Sequence, residues 1–153
     1  MTRNVKYQLS IKINSTNKTL INYYSSLKKK NNNFSHVDLY VPEFNIYENK
    51  IKKIDFQIEC NMIDLTNNNN VSFYIYPNIN PSLDAYLVNV NKYGYKQDFI
   101  KIEKQNNKNL ITEIKCVSNN LSERFTHMNE YTIKGLLFKI TSLDGEHIKV
   151  NII

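Results

Sequence analysis

Three histidines and two cysteines are the side chains of this sequence best suited to proton transfer, metal binding or nucleophilic attack. His36 and Asp38 stand two apart in an alternating run, which puts both on one strand face, where a carboxylate can orient an imidazole. A solvated pair at a strand start has the same spacing, and we read it so. His127 and His147 lie far from it in sequence, with none of the spacings that mark a metal centre. Cys60 shares parity with Ile58 and Met62, and Cys116 with Ile114, so both thiols are expected in the core. A reactive thiolate needs an electropositive, accessible setting instead. Two cysteines are also too few for a disulfide framework or a Cys-based zinc site. Gly94, Gly135 and Gly145 are the only glycines, so no P-loop, dinucleotide-binding turn or nucleophile elbow can be assembled. The expectation is no catalytic residue, no metal, no cofactor and no enzymatic activity.

Tyrosine is where the sequence concentrates binding chemistry. In "VSFYIYPNINP", Val71, Phe73 and Ile75 fall on one strand face and Tyr74 and Tyr76 on the other. Up to Phe99 the chain adds Tyr86, Tyr93 and Tyr95. Tyrosine combines large apolar area with a polar tip, which suits a surface that is dry when bound and wet when free. Tyr74, Tyr76, Tyr86, Tyr93 and Tyr95 are therefore the candidate interface or ligand-binding residues. Three covers for Tyr74 and Tyr76 stay open: another subunit, a sugar stacked on the rings, or an intramolecular lid such as residues 15–35. The lysine runs Lys28 to Lys30 and Lys50, Lys52 and Lys53 could meet phosphates. They lack interleaved arginine or aromatic residues, so they read as solvated loops, with weak, salt-sensitive, sequence-indifferent nucleic-acid binding at most.

The elements that must position these side chains are strands. Val5, Tyr7, Leu9, Ile11 and Ile13 alternate with polar residues, the pattern of a half-buried strand. Ile54, Phe56, Ile58, Cys60 and Met62 repeat it in a run long enough to cross a whole domain as one strand. Further strands are expected at His36 to Val41, Val71 to Tyr76, Ala85 to Asn91, Phe99 to Lys104, Leu110 to Val117, Thr132 to Thr141 and His147 to Ile152. Phe56, Ile58, Ile114, Phe138 and Ile140 are expected core residues. Polar stretches such as "TNNNN" and "QNNKN" separate the strands, and Asp144-Gly145 suits a type I′ hairpin turn. A helix is suggested only at "TLINYYSSLKKK", by the spacing of Leu20, Tyr23, Tyr24 and Leu27. About nine strands without βαβ alternation predict an all-β fold. The expected form is a single antiparallel β-sandwich domain over residues 1–153, jelly-roll-like, with at most one short helix; a closed barrel is the alternative.

The chain of 153 residues carries a net charge of +6 and a pI near 9.2, which invites an acidic partner. Asn, Lys, Ile and Tyr have displaced residues with G/C-rich codons throughout, so part of the lysine excess reflects base composition. The N-terminus lacks the apolar stretch of a secretory signal, and no run approaches the about 20 apolar residues of a membrane span. A soluble, intracellular protein is expected. In composition and expected architecture the chain resembles the small jelly-roll structural proteins, such as minor capsid or penton subunits, of AT-rich large DNA viruses. That resemblance implies a non-enzymatic structural or assembly protein that packs against other protein subunits as a homo- or hetero-oligomer within a virus particle. It carries no residue roles. A carbohydrate-binding module using the tyrosine face is the alternative, and a nucleic-acid-binding accessory protein the third reading.

Overall fold

Alternation becomes strand over most of the chain in the computed structural model, which describes residues 4–27, 32–78, 85–105, 107–118 and 130–153. Among these the strands are β1 (Tyr7–Ile13), β2 (Val37–Tyr47), β3 (Ile51–Asp55), β4 (Ile58–Asp64), β5 (Asn70–Val71), β6 (Phe73–Pro77), β7 (Ala85–Val90), β8 (Lys96–Gln97), β9 (Ile100–Ile102), β10 (Ile111–Ser118), β11 (Glu130–Ser142) and β12 (Ile148–Ile152). One helix, α1 (Lys18–Leu27), interrupts them. The all-β expectation holds, with twelve described strands in place of about nine. Two expected strands each divide, and β8 adds a pairing too short to show as alternation.

The strands form three open four-stranded sheets, ordered β12-β1-β4-β5, β3-β10-β7-β8 and β2-β11-β6-β9. All described ladders are antiparallel except one: β1 and β12 run parallel, Tyr7 opposite Ile148 and Ile11 opposite Ile152. Strand direction leaves no trace in alternation, so a purely antiparallel arrangement was the wrong expectation.

The single long strand expected through Ile54 and Met62 is kinked into two. Gln57 adopts a left-handed conformation (φ 58°), and its N–H donates to the Asp55 carboxylate at 2.8 Å, a side-chain turn that ends β3. Leu110 bridges the kink, its carbonyl accepting from Phe56 N–H (3.0 Å) and its own N–H donating to the Ile58 carbonyl (2.8 Å). β3 thus pairs with β10, and β4 with β1. The run Val71 to Tyr76 divides likewise at Ser72: Val71 pairs with Met62 of β4, whereas Phe73 pairs with Ser142 of β11 and Ile102 of β9.

One hydrophobic core draws on all three sheets and α1. The five residues expected there, Phe56, Ile58, Ile114, Phe138 and Ile140, are all fully buried. Phe56 and Phe138 meet edge to face at 5.1 Å between centroids, a favoured aromatic geometry. The buried Asn89 donates to the Ile75 carbonyl (3.2 Å) and accepts from the Thr112 hydroxyl (3.4 Å), tying β7 and β10 to β6.

Helix α1 begins where Asn17 Oδ1 accepts the N–H groups of Thr19 and Leu20, and it buries Leu20, Tyr24 and Leu27. Its tyrosines serve the edge of β2. The Tyr23 hydroxyl donates to the Asp38 carbonyl at 2.6 Å, and Tyr40 N–H donates to the Tyr24 hydroxyl at 3.1 Å. The edge of β12 is met by the segment that follows α1 in sequence. The Asn32 side chain accepts from Val150 N–H (2.7 Å) and donates to the Val150 carbonyl (3.2 Å), and Phe34 exchanges two backbone bonds with Ile148.

Asp144-Gly145 makes a turn but not the expected hairpin. Gly145 has φ 75°, yet β11 pairs with β2 and β6 while β12 pairs with β1. The reason lies in Asp144, whose Oδ2 accepts from Lys6 Nζ and the Tyr7 hydroxyl, each at 2.8 Å. These bonds fix the turn beside the start of β1, so the returning chain joins β1.

Two stability outcomes follow. Phe56→Ala or Phe138→Ala should cost about 3–5 kcal/mol in denaturant unfolding; a loss below about 1 kcal/mol would contradict their place in the shared core. Burial works to raise the Asp144 pKa, but the hydrogen bonds from Lys6, Tyr7 and Glu146 N–H prevail and hold the carboxyl well below the usual carboxylate range. A depressed folded value adds stability that is complete above the ordinary carboxylate range and is lost as pH falls through the folded value. Asp144→Asn should therefore melt below wild type at pH 7, and the two melting temperatures should converge on strong acidification. A gap that stays constant with pH would mean that the charge of Asp144 is idle.

Candidate functional site

Strand β6 places its side chains as alternation requires. Phe73 and Ile75 are buried in the core, and Tyr74 and Tyr76 stand half-buried on the opposite face. That face belongs to the sheet β2-β11-β6-β9, whose register sets Tyr74 beside Thr141 and Lys101, and Tyr76 beside Lys139, which in turn neighbours Asp38. Phe99, just before β9, packs on both rings, at 5.5 Å and 42° from Tyr74 and at 5.3 Å and 79° from Tyr76. Phe99 itself is 55% exposed. Burial, and then the negative charge of Asp38, push the Tyr76 phenol pKa up, so it stays neutral at neutral pH.

Beyond Lys139 the same face continues to Tyr40 of β2, whose ring lies 5.9 Å from that of Tyr23. Of the described residues in 15–35, those of α1 sit at the β2 edge, and Asn32 and Phe34 at β12, away from Tyr74 and Tyr76 on β6; residues 28–31 lie outside the described residues. Among the described residues, the ring packed on both tyrosines is Phe99, itself 55% exposed.

The other candidate tyrosines lie elsewhere. Tyr93 and Tyr95 occupy the turn between β7 and β8, each 71% exposed. Asn91 Oδ1 accepts from both of their N–H groups (2.9 and 3.1 Å), and Gly94 between them takes φ 84°. Tyr86 belongs to β7, and its side chain lies outside the described residues. Sequence proximity had grouped five tyrosines; the structure brings two of them together with Phe99. Parity was the signal that could have added Phe99: it matches the outward Lys101, opposite to the inward Ile102.

The side chains suited to catalysis are dispersed. His36 Nε2 is 3.7 Å from Asp38 Oδ1, a partly exposed pair at the start of β2, as its spacing suggested. The His147 ring contacts Asn33 Oδ1. His127, Arg124 and Lys28 to Lys30 lie outside the described residues. Cys60 and Cys116 are buried free thiols. Burial pushes the Cys60 pKa far up, and burial with the charge of Glu48 pushes Cys116 up to about 11, so both stay protonated at neutral pH. Among the described residues no group of three or more His, Cys, Asp or Glu is placed to hold a metal, and no helix is long and apolar enough to cross a membrane. Lys52 of the second lysine run sits 5.8 Å from the Phe44 ring. Clefts beside Leu87 and Lys96 and beside Phe44 and Lys52 hold about 90 and 110 Å³, well short of the about 300–1,000 Å³ typical of small-molecule sites.

Sequence reading also passed over Glu48, in the turn from β2 to β3. It is 1% exposed, and among the described residues neither carboxylate oxygen has a hydrogen-bond partner. Its backbone bridges Cys116, and the neighbouring Asn49 holds the turn in a left-handed conformation (φ 61°) with its N–H on the Cys116 carbonyl. Glu48 keeps the inward parity of Ile46 two residues before it, but a carboxylate beside Asn49 and Lys50 gives no sign of burial by its residue type. No family model and no curated protein sequence matches the chain.

A buried polar group without a partner costs about 1–3 kcal/mol. Glu48→Met keeps the side-chain length and removes both orphaned oxygens, so it should raise stability by about that amount in urea unfolding. A destabilising Glu48→Met would mean that the carboxyl has a partner it needs.

Proposed function

We propose that the chain is a structural subunit that assembles with copies of itself through the outer face of the sheet β2-β11-β6-β9. The observation that carries this reading is the Tyr74–Phe99–Tyr76 cluster, a half-buried aromatic group whose central ring is 55% exposed. Removing aromatic area of this kind from water is favourable at about 25 cal/mol per Å². Asp38 and Lys139 beside it supply opposite charges that can fix orientation at a polar rim.

A jelly-roll-like sandwich is the finer form we favour. The order β2-β11-β6-β9 sets strands distant in sequence side by side, as a folded-over long hairpin does. The parallel β1–β12 pair departs from that scheme. Together with the codon-biased composition, this supports the reading of a capsid-associated subunit of a large DNA virus. A sugar platform is less well supported. Phe99 is turned 42° and 79° from its two neighbours, so the three rings do not form one flat surface on which a pyranose could stack.

Sedimentation velocity tests the assembly. The wild-type chain should self-associate, and Phe99→Ser should weaken the association at least about tenfold, the scale of an aromatic hot spot. Its melting temperature should fall only modestly, because Phe99 is 55% exposed in the isolated chain and loses there only its contacts with the two tyrosine rings. A wild type that stays monomeric at millimolar concentration, or a Phe99→Ser variant that associates as well as wild type, would overturn the proposal.

A further inference from the structure

The turn between β7 and β8 reads Lys92-Tyr93-Gly94-Tyr95-Lys96, two aromatic rings framed by two ammonium groups. Both rings are 71% exposed, an unusual investment of apolar area in a turn unless something covers it. Hydrogen bonds centred on Asn91 shape the turn. Asn91 Oδ1 holds the N–H groups of Tyr93 and Tyr95, Gly94 N–H donates to the Asn91 carbonyl, and Asn91 N–H donates to the Tyr95 carbonyl. Gly94 also packs against Ile51, where an added Cβ would meet Ile51 Cδ1 at 3.1 Å. That contact lays the turn over the start of β3, beside Lys50 and the register neighbour of Ile51, Lys115. Lys92 Nζ lies 5.1 Å from the Tyr93 ring centroid.

Lys92 lies against the Tyr93 ring, Lys96 follows Tyr95 directly in sequence, and Lys50 and Lys115 neighbour the Ile51 on which Gly94 packs, all on a chain of net charge +6. Lys53 is nearby but is offset by Glu113 directly opposite it, and Asp98 follows β8. Ammonium groups meet phosphates as point charges, and tyrosine faces stack on bases without regard to sequence. We infer that this turn is a contact for single-stranded nucleic acid, with Tyr93 and Tyr95 stacking on bases and Lys92 and Lys96 meeting the flanking phosphates. Duplex is the poorer ligand, because its bases are already stacked and its charge can engage the lysines only. The inference is independent of the assembly face, which lies on another sheet.

Fluorescence anisotropy with labelled dT20 and rU20 at several salt concentrations tests it. Binding should be measurable at about 50 mM salt, and unlabelled duplex of equal length should compete less well than single strand. Stacking contributes about 1–3 kcal/mol per base, so Tyr93→Ala/Tyr95→Ala should lower affinity at least tenfold and leave the salt slope unchanged. Tyr93→Phe/Tyr95→Phe, which keeps the rings, should bind as wild type. Lys92→Ala/Lys96→Ala should flatten the slope of log affinity against log salt by about 1.4, from about 0.7 for each phosphate contact in single strands. Three outcomes overturn the inference: no binding to either oligonucleotide, competition by duplex as strong as by single strand, or tyrosine-to-alanine variants that bind as wild type.

Discussion

A left-handed residue at Gln57 is the constraint on which the arrangement of sheets depends. If Ile51 to Asp64 were one straight strand, the pairings to β10 and to β1 would belong to a single sheet. Because Asp55 closes a turn on Gln57 N–H, the chain changes direction and its two halves enter different sheets. The kink keeps the inward parity of Ile54, Phe56, Ile58, Cys60 and Met62, all of which are buried. It also delivers the Phe56 ring to Phe138, where the third sheet closes on the core. Leu110 satisfies the backbone groups that the kink would leave orphaned.

Three open sheets leave more edges than one sheet of the same strand number, and unpaired edges invite unwanted pairing. The molecule answers with side chains that imitate a backbone. Tyr23 and Tyr24 supply an acceptor's donor and a donor's acceptor to β2 where a neighbouring strand would, and the Asn32 carboxamide does both for Val150 of β12. Other edges are short: β5 and β8 have two residues each and β9 has three. The edge strand β3 carries Lys52 and Lys53, and like charges resist pairing with a second copy. The register shifts of β11 around Gly135, opposite Val41 and next to Pro42, bend the remaining long pair out of a flat, extendable ribbon.

The fold class and the core were legible because burial imposes parity, and parity is written in the order of residue types. Helix α1 was legible for the same reason, at helical spacing. What escaped were features that parity does not encode. The parallel direction of β12 depends on the distant Lys6 and Tyr7 holding Asp144. The breaks at Gln57 and Ser72 keep the alternation intact while changing the sheet. Tyrosine density marked a region rich in exposed rings, but the two groups within it, Tyr74 with Tyr76 and Tyr93 with Tyr95, separate because the chain between them belongs to different sheets. Glu48 escaped because it is a charged residue at a position whose inward parity, shared with Ile46, carries on into the corner where β2 passes to β3.

Covered edges and open faces together limit how this molecule can meet a partner. Strand addition joins chains through backbone groups, and at Asp38, Tyr40, Ile148 and Val150 those groups are already bound. A peptide seeking to extend β2 would first have to displace two tyrosine hydroxyls, one of them on the fully buried Tyr24, whose ring contributes to the core. At those positions recognition is left to side chains on the faces. There the chain offers two chemically different surfaces: Tyr74, Phe99 and Tyr76 beside the opposite charges of Asp38 and Lys139, and Tyr93 and Tyr95 among lysines. The first suits a partner of mixed charge such as another copy of the chain, and the second suits a polyanion with flat rings. The difference in local charge, more than the shared tyrosine, is what sets the two proposed partners apart.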